Sequence, residues 1–285
     1  MRLAISFWTL LACTGGTDDA VESRSEDTGP GDARETSATA ETGTPYTAAP
    51  DSIDVELRVV HALPKAGPVD LCIAPSADDP FEGPLLGGKG VAFREGTVRQ
   101  TTTVSSSARL RWVAAASPDC ENSIGDDVAL EGNAGPRTAV LLAPASETDE
   151  PTTLLLDDET VAKPNPGRFY VRFLHAAPGV DPLSVKQGGC AIPFAAFESA
   201  AFGEPAISAN DQAPWFSASV TSGSDRFVTD IVVCDGPTEL VRLEQHAFLG
   251  GQIQLHVLTG DATTPSTLDL TMCIDTASEP CTRLL

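Results

Sequence analysis

Residues that could do chemistry occur at matching positions in two parts of the chain. The pattern Arg-x-x-His-Ala-x-Pro appears once with Arg58 and His61 and again with Arg172 and His175. A histidine at a strand end can bind a metal or a ligand, since its charge changes near neutral pH. It can also be half-buried and hold a turn through a ring nitrogen bonded to the backbone. We favour the structural role and keep His61 and His175 as possible binding residues.

The repeated carboxylates are Asp70 and Asp181, which follow the two histidines. Asp near Pro and Gly most often caps a turn by accepting a backbone N–H bond. General acid–base catalysis would require both carboxylates in one cleft, which the sequence does not indicate. The doublets Asp78–Asp79, Asp126–Asp127 and Asp157–Asp158 lack the regular spacing of a calcium loop, and we interpret them as solvated loop charge.

The remaining candidates lie outside the repeated pattern. His256 stands between apolar neighbours, so a structural role is expected for it and for His246. Trp112 fits a core strand, whereas Trp215 follows a loop-like segment and is a possible ligand-stacking residue.

Known catalytic signatures are missing from the sequence. It contains no Gly-x-Ser-x-Gly, no His-Glu-x-x-His and no phosphate-binding glycine loop. We therefore predict a non-enzymatic protein, with either a binding role or a structural role and without a cofactor or metal. The alternative is an exported hydrolase or metal-dependent enzyme, with His61, His175 and nearby carboxylates in a site between two modules.

The first residues predict export and lipid anchoring. Residues 1–12 have a short positive start and an apolar run too short to span a bilayer, which is typical of a cleaved signal peptide. Leu10-Leu11-Ala12-Cys13 resembles the bacterial lipobox, so we expect Cys13 to carry the lipid. Residues 13–51 are polar and acidic and predict a disordered tether. The expected location is the cell envelope, with the outer membrane favoured over the inner.

Charge and composition exclude some partners. The chain has 40 Asp and Glu against 18 Lys and Arg, a net charge of −22. No basic cluster is available to displace counterions from nucleic acid, so nucleic acid is excluded as a partner. The expected partners are the membrane, through the lipid anchor, and an envelope protein or glycan.

The other six cysteines predict disulfides, because an exported protein meets an oxidising environment. Six cysteines permit 15 connectivities, but the repeat favours one early and one late cysteine in each module. Cys120 and Cys234 follow similar segments and are interpreted as equivalent. The simplest scheme pairs Cys72 with Cys120, Cys190 with Cys234, and Cys273 with Cys281.

The elements around these residues alternate in hydrophobicity with a period of two, which predicts strands. With 24 Gly and 22 Pro as turn residues, short antiparallel strands are favoured over helices. A helical turn or two is expected only at 194–202. The fold class is therefore all-β, with two tandem β-sandwich (immunoglobulin-like) modules at 52–162 and 169–285 and a linker at 163–168. The other predicted strands are 69–73, 108–115, 138–142, 227–233, 252–258 and 268–274.

The opening of each module resembles the bacterial family called domain of unknown function 4397. The likeness rests on an arginine strand with His-Ala-x-Pro, followed by Val69-Asp70-Leu71 in the first copy and by Val180-Asp181 in the second. The resemblance implies an exported protein with β-rich modules in tandem. That family has no established activity, so the resemblance implies no mechanism.

Overall fold

Strands account for almost all regular structure, as the alternating sequence predicts. The computed structural model describes residues 52–115, 117–131, 134–146, 148–158, 164–192, 195–209, 214–275 and 279–285. The predicted signal peptide, Cys13 and the acidic tether lie outside these residues. Within them, the single helical element is the 3₁₀ turn Pro265–Thr267. No helix in the described ranges is long and apolar enough to cross a membrane.

The first half of the described chain forms two sheets. One sheet has the order β3-β1-β6-β7 and the other β2-β4-β5. The strands are β1 (Ile53–His61), β2 (Val69–Ala74), β3 (Gln100–Val104), β4 (Arg109–Ala114), β5 (Val128–Ala129), β6 (Gly135–Leu142) and β7 (Thr152–Asp157).

The second half repeats this plan. One sheet has the order β12-β8-β15-β16-β17 and the other β11-β10-β9-β13-β14. The strands are β8 (Arg168–His175), β9 (Leu183–Gln187), β10 (Ala195–Ala200), β11 (Ile207–Ser208), β12 (Trp215–Ser219), β13 (Arg226–Asp235), β14 (Thr238–Leu249), β15 (Ile253–Thr259), β16 (Asp269–Ile274) and β17 (Thr282–Arg283).

The strand that carries each repeated motif lies inside its sheet. β1 pairs antiparallel with β3 and parallel with β6. β8 pairs antiparallel with β12 and parallel with β15. The expectation of antiparallel strands is therefore wrong for one side of each motif strand. A parallel pair needs a long connection, and here the chain passes through the second sheet before it returns.

The described residues form three large apolar cores. Each half has a core between its own two sheets, centred on residues such as Trp112 in the first and Phe169 in the second. A third core lies between the halves and includes Val60 and Leu142 from the first half and Leu174 and Val257 from the second. Because a strand's side chains alternate between faces, β1 and β8 each contribute to two cores. All the described residues belong to one compact unit.

The helical expectation for 194–202 is wrong, because the structure has strand β10 there. Its alanines favour a helix when isolated, but pairing with β9 on one side and β11 on the other determines the conformation. Ala196 and Phe197 are thereby buried in the core of the second half.

The three disulfides pair the cysteines as the sequence predicts: Cys72–Cys120, Cys190–Cys234 and Cys273–Cys281. The supposed equivalence of Cys120 and Cys234 is wrong. Cys234 lies within β13, whereas Cys120 lies in the loop after β4. In the first half the strand cysteine is Cys72, on β2. In each half, the disulfide thus joins a strand cysteine to a loop cysteine. The strand cysteine comes first in the first half and second in the second half.

Candidate functional site

The repeated arginines join the two halves by exchanging partners. Arg58 on β1 donates from Nη1 to Asp275 at 2.7 Å, and Arg172 on β8 donates from Nη1 to Asp158 at 3.2 Å. Asp158 follows β7 and Asp275 follows β16, so these carboxylates hold equivalent places in the two halves. Each arginine therefore binds the carboxylate of the other half. The two ion pairs thus use equivalent residues, exchanged between the halves.

The two halves differ in the residue that lies beside each repeated arginine. Arg99 precedes β3 and donates from Nη2 to both Asp158 and Asp275 at 2.8 Å. The strand register places Trp215 at the corresponding point of the second half, opposite Arg172. Its ring lies under the Arg172 guanidinium, 4.3 Å from ring centroid to Cζ. Trp215 is buried within β12, so its interpretation as a loop residue for ligand stacking is wrong.

Burial sets the electrostatics of this network. Loss of solvent lowers the pKa of Arg58 and of Arg172, and the neighbouring carboxylates act in the opposite direction. Burial also raises the pKa of Asp158, with a further contribution from Asp275, although Arg99 and Thr138 bond to its carboxylate. The prediction of solvated loop charge is therefore wrong for Asp158. Removing either member of such a pair leaves a buried charge without its partner.

The repeated histidines hold the turns that follow them. His61 accepts from the Leu63 N–H at Nδ1, 3.3 Å away, and Nε2 lies 3.1 Å from the Gly67 carbonyl oxygen. This arrangement requires a neutral ring with its proton on Nε2. His175 Nε2 lies 2.7 Å from the Val180 oxygen in the same way. Burial lowers the pKa of both rings, which favours the neutral form.

A second repeated element, which the sequence analysis missed, contacts these histidines. Phe93 packs edge-on against His61 with centroids 6.0 Å apart, and Phe202 does the same to His175 at 5.8 Å. The two phenylalanines stand in Ala92-Phe-Arg-Glu95 and Ala201-Phe-Gly-Glu204. This shared Ala-Phe-x-Glu pattern was the available signal, but its spacing differs from that of the histidines.

The repeated aspartates cap the backbone within their own halves. Asp70 is fully buried and accepts from the N–H groups of Leu71, Leu86 and Gly88 at 2.7 to 3.1 Å. Asp181 accepts from the Phe202 N–H at 2.9 Å. Each carboxylate therefore stabilises the backbone of its own half, as the sequence predicts.

The two copies of the motif end at one shared groove, which we call the four-turn groove. It has a volume of about 400 Å³ and is lined by 63–65 and 143–146 from the first half and by 178–179, Asp261 and Thr263 from the second. Pro64 and Pro178 are equivalent members of the motif. Lys65 and Ser146 are exposed at this groove.

A further pair of histidines lies inside the second half. His256 Nε2 is 2.9 Å and His246 Nε2 is 3.4 Å from Oε1 of Gln254, and the two rings meet edge-on with centroids 5.2 Å apart. Complete burial lowers the pKa of His256 to about 3, with a smaller contribution from His246. Both residues therefore have the structural surroundings that the sequence predicts.

The other two aspartate doublets, Asp78–Asp79 and Asp126–Asp127, lie near the surface. Asp127 forms a two-oxygen pair with Arg111 at 2.7 and 2.8 Å, and this bonding lowers the pKa of Asp127. Asp79 accepts from the Ser76 hydroxyl at 2.7 Å. Within the described ranges, no three His, Cys, Asp or Glu side chains are arranged to hold a metal ion.

No protein-family model matches the chain, and no curated protein matches it significantly. Among solved structures, the chain is similar to a family CBM26 module of Eubacterium rectale Amy13K in complex with maltoheptaose, with 14% identity over 73% of this chain and 92% of that one and a TM-score of 0.18. A fimbrial assembly protein of Parabacteroides distasonis matches with 12% identity over 81% and 98%, TM-score 0.22. A putative adhesin of Bacteroides ovatus matches with 9% identity over 82% and 95%, TM-score 0.21. Similarities this low carry no inference about function.

Proposed function

We propose that this chain is a non-enzymatic binding protein of the bacterial cell envelope, anchored through lipid on Cys13, with the four-turn groove as its ligand site. The single observation that carries the proposal is that both copies of the repeated motif end at this one groove. A site assembled from two halves is a common place for ligand binding.

The remaining residues of the motif support this assignment. Arg58 and Arg172 are engaged in the ion pairs between the halves, and His61 and His175 are bonded to their own turns. These side chains are thus occupied in building the site. The motif and its turns present proline rings, a glycine and the Lys65 ammonium to the groove, which suits binding without bond cleavage.

The ligand class is an envelope glycan or an envelope protein. The groove combines apolar proline and alanine surfaces with the polar groups of Lys65, Ser146, Asp261 and Thr263. A few polar groups on an apolar lining are typical of sites that orient a ligand. Because the two motifs form one composite groove, we expect one ligand segment per chain.

Binding to envelope fractions of the protein's own cells tests this proposal. The variant Ala145→Trp fills the groove with an indole, and Ser222→Trp adds the same side chain at an exposed turn elsewhere. We expect retention of the wild-type protein and of Ser222→Trp on a cell-wall or membrane-protein fraction, and at least tenfold less retention of Ala145→Trp. Equal retention of all three proteins would refute the groove as the site.

The anchor and the family assignment belong to the same proposal. Cleavage before Cys13 would leave the acidic tether at 13–51 between the lipid and the β-sheets, and a tether of this composition extends through self-repulsion. We also propose membership of the domain of unknown function 4397 family. The intact mass of the protein from native membranes should begin at Cys13 and include acyl chains. An unmodified mass would rule out lipid anchoring.

A further inference from the structure

The cores of the two halves also differ where they reach the edge of the sheet that carries the motif. The first half has a cavity of about 170 Å³, which we call the edge slot. Its lining comprises aliphatic side chains and a polar rim: Leu57, Val59, Leu71, Leu85, Leu86, Thr97, Gln100, Thr101 and Thr102. The corresponding space in the second half, beside Val171 and Phe173, measures only about 20 Å³.

Phenylalanine side chains account for this difference. Since Arg58 and Arg172 are equivalent, Val59 corresponds to Phe173. The register pairs Leu57 with Gln100 and Val171 with Phe216, so Gln100 corresponds to Phe216. Phe216 packs on the core of the second half. Its ring lies 6.1 Å from that of Phe197, centroid to centroid. The second half thus fills with its own aromatic rings the space that the first half leaves open.

The edge slot is open to solvent beside a free strand edge. Gln100 faces the core side of its sheet but is exposed, and Leu85 at the mouth is 38% exposed. β3 is the outermost strand of its sheet and pairs with β1 alone among the described strands. A free edge offers unpaired backbone groups to an added strand, and a side-chain pocket beside it gives specificity.

We propose that the edge slot binds one aromatic side chain of an extended, cationic peptide segment of a partner protein, which adds to the free edge of β3. The size fits, because a cavity of about 150 Å³ holds a benzene ring. The equivalent Phe216 shows which chemistry packs at this position. The charge also fits, because the chain carries a net charge of −22, which attracts a cationic segment, and the rim of the slot is uncharged.

Two synthetic peptides and the purified full chain test the proposal. The probe is acetyl-Lys-Thr-Phe-Thr-Lys-amide, and its control carries Ala in place of Phe. Binding is followed by NMR shifts of the leucine methyl groups of Leu57, Leu71 and Leu85. Burial of a phenyl ring predicts at least about tenfold tighter binding of the Phe peptide. Weaker discrimination, or shifts confined to other residues, would overturn the proposal.

Variants on β3 separate the slot from its surroundings. Gln100→Phe supplies the missing ring from within the chain and should reduce binding of the Phe peptide at least tenfold. Gln100→Leu, which fills less of the slot, should reduce it by a smaller factor and serves if the first variant fails to fold. Thr103→Phe adds a ring to the opposite face of β3 and should leave binding unchanged. Equal binding by the wild type and the folded Gln100 variants would overturn the proposal. The four-turn groove shares no lining residue with the slot, so these results are independent of the proposed function.

Discussion

Mild acid should destabilise the protein through the buried His256. In the native state the ring is neutral, and its pKa is about 3. In the unfolded chain the pKa is the ordinary value of about 6.5, so unfolding takes up a proton whenever the pH lies between these values. Stability from the neutral ring is therefore present above about pH 6.5 and is lost as the pH falls. At pH 5 the gap is about 1.5 pH units, which corresponds to about 2 kcal/mol.

Urea unfolding of the wild type and of His256→Gln at pH 7, 6 and 5 measures this effect. Glutamine does not titrate and keeps a donor for Gln254. The other histidines and the carboxylates titrate in both proteins, so the difference between the two isolates His256. We expect the wild type to lose about 2 kcal/mol more than the variant between pH 7 and pH 5. Equal losses in both proteins would refute a neutral, fully buried His256.

Three further predictions concern contacts within and between the two halves. In a urea titration, Arg172→Ala should lower the free energy of unfolding by about 3 kcal/mol, because the buried Asp158 loses one of its partners. The control Arg226→Ala removes an exposed pair with Asp225 and should change the free energy of unfolding by less than about 1 kcal/mol. The double variant Cys190→Ser/Cys234→Ser opens a loop of 44 residues and should cost on the order of 4 kcal/mol; an unchanged urea midpoint would contradict a disulfide between them. Gly96→Ala would place a Cβ 2.5 Å from Sγ of Cys281 and should lower the melting temperature, whereas Gly67→Ala meets no atom within 4 Å and should not.

Much of the fold follows from local patterns in the sequence. Period-two alternation identified the motif strands β1 and β8 and most of the strands that flank them. The parallel pairing of β1 with β6 was not predictable in this way, because it depends on the path of a chain through a whole second sheet. The same is true of β10, where the alanine-rich sequence favours a helix and pairing with β9 and β11 makes it a strand.

The site was predictable only in part. The pattern around His61 and His175 indicated turns held by ring nitrogens, and the structure has those bonds. The pairing of Arg58 with Asp275 and of Arg172 with Asp158 could not be predicted. It depends on how two halves that are far apart in the sequence pack against each other. A doublet such as Asp157–Asp158 looks like loop charge until that packing buries one of its members.

Cross-linking in living cells tests the central claim, that the repeated motifs build one ligand groove. A photo-reactive side chain is placed at position 145, inside the four-turn groove, or at position 222 in an exposed turn as the control. The account predicts a discrete, light-dependent adduct with an envelope component from position 145 and none from position 222. No adduct from position 145, or the same adducts from both positions, would contradict it.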